Sequence, residues 1–226
     1  GFADLAGTYS DTPGANRTFG LDIKAASLAY DTKLDDPSLE MKQSTTSTTA
    51  DVAMSFDFAL PTTIALAALA APADFGTALQ EGLSVNFSTS QGDSNGTMAQ
   101  ESAIFPMNLV IKAGGGEATG VFNKDVFSIQ STGSGLEIES TSAMMPAPIK
   151  ITSGPVVVGL TSPVIATEAA GDYGLTMKLS QFTLNDEAWA MFDPGAALKR
   201  DAADLAIDIS GKTKLDLIAI MQAEET

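Results

Sequence analysis

Val52-Ala53-Met54-Ser55-Phe56-Asp57-Phe58-Ala59-Leu60 decides the fold class of this chain. Val52, Met54, Phe56, Phe58 and Leu60 alternate with small or polar residues, which is the period of an extended strand with one apolar and one wet face. The same alternation recurs outward in both directions, at Leu21-Asp22-Ile23-Lys24, Leu28 to Leu34, Leu83-Val85-Phe87, Met107-Leu109-Ile111, Leu136-Ile138, Leu175-Met177-Leu179, Leu205-Ile207-Ile209 and Leu215-Leu217. Half-buried strands of this kind belong to antiparallel sheet. The expected fold is mainly β: a curved antiparallel sheet or half-barrel, covered by two small helices.

Two segments break the alternation. Thr63 to Ala71 is rich in Ala and Leu, which favour helix, and runs up to Pro72. Asn185 to Phe192 opens with the capping arrangement Thr183-Leu184-Asn185-Asp186 and stops before Pro194-Gly195. Each helix lies between two strands, and a constant shift of 194 − 72 = 122 residues pairs Pro72 with Pro194, Leu83 with Leu205, Val85 with Ile207 and Phe87 with Ile209. A duplicated strand–helix–strand unit would produce that shift. Gln91 to Gly96, with Asn95-Gly96 at its end, reads as a connection between strands. Gly114-Gly115-Gly116 and Ser131-Thr132-Gly133-Ser134-Gly135 read as loops. Residues 1–226 form a single β-rich domain; a division into two lobes joined near residues 144–164, around Pro146 and Pro148, is the alternative organisation.

The composition excludes more chemistry than it suggests. The 226 residues contain no Cys and no His, so thiol chemistry, disulfides, imidazole bases and the commonest metal ligands are absent. Twelve Lys and Arg stand against 28 Asp and Glu, a net charge of -16, which repels nucleic acid and anionic membrane surfaces. No apolar run reaches the length of a membrane span. Serine is abundant, yet a nucleophilic serine needs a base, and no Ser-x-x-Lys occurs. Asp11-Thr12-Pro13-Gly14 is a turn, because Pro13 interrupts any protease-like motif and no second copy exists. The glycines of Gly114 to Gly120 have the wrong spacing for a dinucleotide loop. We expect no enzyme and no cofactor.

What remains is apolar surface. Met54 and Met177 lie on inferred inward strand faces, and methionine adapts to irregular ligands. Trp189, the sole tryptophan, and Phe192 share one side of the second helix. These four are the candidate ligand-binding residues, with an apolar small molecule or lipid expected between the sheet and the Trp189 helix.

Leu184 to Gly195, followed by Leu198-Lys199-Arg200-Asp201 and Leu205-Ala206-Ile207-Asp208-Ile209-Ser210-Gly211, resembles the bacterial envelope family of unknown function DUF 2125. Asp74-Phe75-Gly76, Leu79 and Glu81-Gly82-Leu83-Ser84-Val85 are similar to an earlier part of it. Lys199 and Ala202 depart from the pattern, standing where prolines are expected. The resemblance implies an exported, periplasmic protein and carries no activity or catalytic residue. The functional expectation is an uncharacterised envelope protein that binds an apolar ligand such as lipid in a curved sheet. The alternative is a structural or assembly module that recruits an envelope protein through its sheet edge.

Overall fold

A computed structural model describes residues 1–226 apart from 39, 66–71, 103, 166–168, 217–218 and 220–226. The chain is mainly β, with fourteen strands in one antiparallel curved sheet and two helices among the described residues. In order these are β1 (Phe2–Ala3), β2 (Ala6–Thr12), β3 (Asn16–Asp36), β4 (Met41–Pro61), α1 (Pro72–Gln80), β5 (Ser84–Gln91), β6 (Ser94–Ser102), β7 (Met107–Ala113), β8 (Gly116–Phe122), β9 (Phe127–Gly133), β10 (Leu136–Thr141), β11 (Ile149–Ser153), β12 (Val156–Ser162), β13 (Gly171–Leu184), α2 (Asp186–Phe192) and β14 (Ala203–Thr213).

The registers reveal a simpler plan. β5 and β6 both run antiparallel to β4, and Ala53↔Ser90 and Thr49↔Ser94 continue one ladder without a change of register. β7–β8 continue each other along β5–β6 in the same way, through Ser94↔Ala113 and Gln91↔Gly116. So do β9–β10 and β11–β12 on their neighbours. The architecture is therefore an up-and-down meander of nine long strands: β1–β2, β3, β4, β5–β6, β7–β8, β9–β10, β11–β12, β13 and β14. β3 and β4 alone are 21 residues each.

One line of irregularity crosses this meander at right angles to the strands. Extending the registers by one residue aligns Asp4, Ala26, Asp51, Gly92, Gly115, Ser134 and Pro155. Asp4 and Asp51 have φ of 50° and 48°, and Gln181 and Gly135, beside the line, have 51° and 155°. Aspartate tolerates that left-handed backbone better than most residues. Backbone bonds bridge the line, including Gly92 N to Ala50 O at 2.8 Å, Ser134 N to Gly115 O at 2.9 Å and Gly154 N to Ser180 O at 2.8 Å. The sheet is creased there but not cut. Pairings between half-strands run from β4 through β5, β8, β9, β12, β13, β11, β10, β7 and β6 back to β4, a ring around the crease.

Several connections expected from the sequence are corrected by this arrangement. Gln91 to Gly96 does not reverse the chain: Gly92-Asp93 is the interruption between β5 and β6, and Asn95-Gly96 lies inside β6. Gly114-Gly115 plays the same part between β7 and β8, while Ser131 to Gly133 belong to β9. Aligned glycines relieve the backbone at a bulge as readily as at a turn. Residues 144–164 hold β11 and β12, each paired on both sides within the sheet.

The helices keep two different relations to their prolines. Pro72 opens α1, where a proline fits the first helical turn. The helix expected over 63–71 lies largely outside the described residues; Thr63 and Ile64 are not helical. α1 ends at a Schellman turn, with Gly82 at φ 112°, Leu83 N on Ala78 O at 2.8 Å and Gly82 N on Leu79 O at 3.2 Å. Its Ala78 and Leu79 pack with Leu60, Leu83 and Val164, surrounded by Phe19, Phe58, Phe75, Phe122 and Phe127. α2 matches its expected start and stop, with Asn185 as N-cap and Asp193 after its last turn.

Both helices lie between strands that are antiparallel neighbours, β4 with β5 and β13 with β14. The 122-residue correspondence does not extend to their pairing. Phe58 faces Val85 in the first unit, but Ile207 faces Met177 in the second, three residues short of the position the shift requires. Pro194 follows its helix where Pro72 begins one. Leu215 and Asp216 lie outside the strands, and Leu217 is outside the described residues.

Candidate functional site

Rows read straight across the sheet separate apolar from polar side chains. Above the crease, one row is Ile23–Met54–Thr89–Ala118–Ser131–Val158–Met177–Ile207. The next on the same face is Leu21–Phe56–Phe87–Gly120–Ile129–Leu160–Leu175–Ile209. Below the crease the corresponding row is Tyr30–Ser47–Gly96–Ile111–Ile138–Ile151–Leu184. None of these rows contains a charge. Charged residues occupy the alternate rows, such as Asp22–Ser55–Ser88–Thr119–Gln130–Gly159–Thr176–Asp208 and Ala29–Thr48–Asn95–Lys112–Glu137–Thr152–Thr183.

The apolar set changes sequence parity at the crease. In β3 it is odd-numbered above (Leu21, Ile23) and even-numbered below (Leu28, Tyr30). A bulge places two successive residues on one side, so alternation resumes with the opposite parity. Left-handed residues at Asp4, Asp51 and Gln181 mark the break, and both halves line one depression across it.

An open depression of about 550 Å³ spans the crease and is lined from both halves: Val52, Met54, Ala118, Val156 and Val158 from above, Ala113 and Leu136 from below. That volume is in the range of small-molecule sites. Gly116, Gly133, Thr89 and Ser131 also line it, so its middle is built from small residues and its sides from larger ones. Gly133 is the informative one: a Cβ there would meet nothing within 4 Å. Gly120, two rows above on the same face, differs, because Phe87 already occupies the space over it, with Cε1 2.0 Å from where a Cβ would stand. Glu117 is the sole charged residue in the lining among the described residues.

The four expected ligand residues are distributed unevenly. Met54 lines the depression and is 36% exposed. Met177 lies in the same row with four strands between them, about 24 Å along the curved sheet at ordinary strand spacing. Trp189 and Phe192 are on α2, which packs beside β11 and β13, and neither lines the depression. Phe192 is 74% exposed, and the Nε1 of Trp189 is buried without a hydrogen-bond partner. Sequence reading passed over Ala118, Gly133, Val156 and Val158. The parity switch within β3 and β4 was the signal that could have found them.

Ion pairs occupy the wet side and the ends. Glu137 receives Lys112 at 3.1 Å and Lys150 at 3.3 Å, which hold its carboxyl below the ordinary range. Arg17 donates two bonds to Asp11 across the β2–β3 hairpin and lowers its pKa. Backbone N–H groups of Leu198 and Ala197 do the same for Asp193, which is 8% exposed. Among the described residues, no group of three or more acidic side chains is placed to hold a metal ion, and no helix is long and apolar enough to cross a membrane. No family model, curated protein or solved structure matches the chain.

Proposed function

We propose that this chain is an exported envelope protein that holds an apolar small molecule or lipid against the uncharged face of its curved sheet, as a binding protein and not an enzyme. The observation that carries this reading is the charge segregation. With 40 charged residues in the chain, those strand rows hold none, and the face stays open beyond the helices. Val158, Leu160, Met177, Ile207 and Ile209 on it are 38 to 50% exposed. An apolar surface of that extent marks an interaction site. The acidic exterior supports a carrier that remains in solution and off anionic membranes. The periplasmic location rests on the resemblance carried by Leu184 to Asp201. Native mass spectrometry of protein purified from its own envelope tests the reading: the expected result is a retained apolar adduct that denaturation releases. A bare mass under gentle conditions contradicts it.

A second reading has its own observation. β2 is exposed along all of its length and β14 along nearly all, each paired on one side only among the described residues. Such edges accept a partner strand. An envelope partner recruited there would slow amide exchange along Ala203–Thr213, and unchanged exchange would remove this reading.

A further inference from the structure

The charges around the depression specify the class of ligand, an inference that rests on the proposed apolar-ligand reading. We infer that the depression at the crease takes an alkyl chain carrying an uncharged head, and discriminates against the same chain ending in a carboxylate or phosphate. Among the described residues no Lys or Arg lines it, and its one charged residue is the acid Glu117. An anionic head seated there would lose water without gaining a cation, which is unfavourable. It would also sit in the field of a protein of net charge -16, and salt screens that field only beyond about 8–10 Å. The depression has room for a chain because its middle is small: Ala118 and Ser131 lie between the larger Met54 and Val158, with Gly133 one row below them beside Val156.

Gly133 supplies a clean control. A Cβ at this position meets no heavy atom within 4 Å, so Gly133→Leu introduces an apolar side chain at the depression from an uncrowded start. Ser131→Lys places a cation in the same floor.

The experiment compares dodecyl maltoside with dodecanoate, both below their micelle concentrations, by calorimetric titration of the whole protein. The expected result is saturable binding of the uncharged amphiphile, with dodecanoate weaker by about tenfold or more. The difference narrows at high salt. Gly133→Leu loses the maltoside with an unchanged unfolding temperature, and Ser131→Lys gains affinity for dodecanoate. Dodecanoate binding as tightly as the maltoside overturns the head-group inference and leaves the apolar-ligand reading standing. Binding of neither amphiphile overturns both, and binding retained by Gly133→Leu removes the depression as the site.

Discussion

Two glycines on the same face carry opposite meanings. Gly120 exists because Phe87 lies over it, so Gly120→Val drives a branched side chain into a ring that has little room to leave. Overpacking of this kind costs about 1–3 kcal/mol, and urea denaturation should show that loss. Wild-type stability in Gly120→Val would mean that Phe87 does not hold this position. Gly133 sits on the same strand face with empty space above it. Neither role was legible in the sequence, because a glycine that reverses a chain and one that admits a neighbour look alike. Gly114, Gly115, Gly133 and Gly135 all read as loop residues for that reason. What the sequence did contain was the parity change in β3, from Leu21 and Ile23 to Leu28 and Tyr30, with no reversal between them.

At the scale of elements, α2 is fastened by one side chain. Asn185 Oδ1 accepts from Ala188 N at 3.1 Å, capping the helix, and from Lys150 N at 3.0 Å, while Nδ2 donates to Pro148 O at 2.8 Å. Asn185→Ala forfeits the cap and both ties to the β11 side, an expected loss of about 1–2 kcal/mol. Equilibrium unfolding within error of wild type would show that the cap contributes nothing. The start of α2 was readable because capping is local, whereas the reading around α1 turns on Pro72, since a proline can close one helix or open another. Glu137 links β7, β10 and β11 through its two lysines. Its folded pKa is depressed below 4.5, so its contribution is present above that unfolded value and is lost as pH falls through the folded one. Both lysines are exposed, so the contribution is modest. Glu137→Gln should therefore flatten the stability loss below about pH 4.5; an acid limb as steep as wild type would count against the pairing.

Across the whole molecule, fold class followed from alternation alone, because a strand's two faces are written in consecutive residues. The crease did not, since it depends on seven strands aligning their irregular residues at one height, with β13 irregular beside them, and that alignment emerges only from the registers. The candidate site lies at the crease, so Met54 lines it while Trp189 and Phe192, chosen for residue type, lie apart from it. The central claim is that one uncharged face, continuous across the crease, receives an apolar ligand. A crystal structure of the protein with dodecyl maltoside tests it most directly. The account predicts alkyl density over Gly133, between Met54 and Val158, with residues of both halves in contact. Density confined to the Trp189 and Phe192 side of α2, or an apolar set split between opposite faces at the crease, would contradict it.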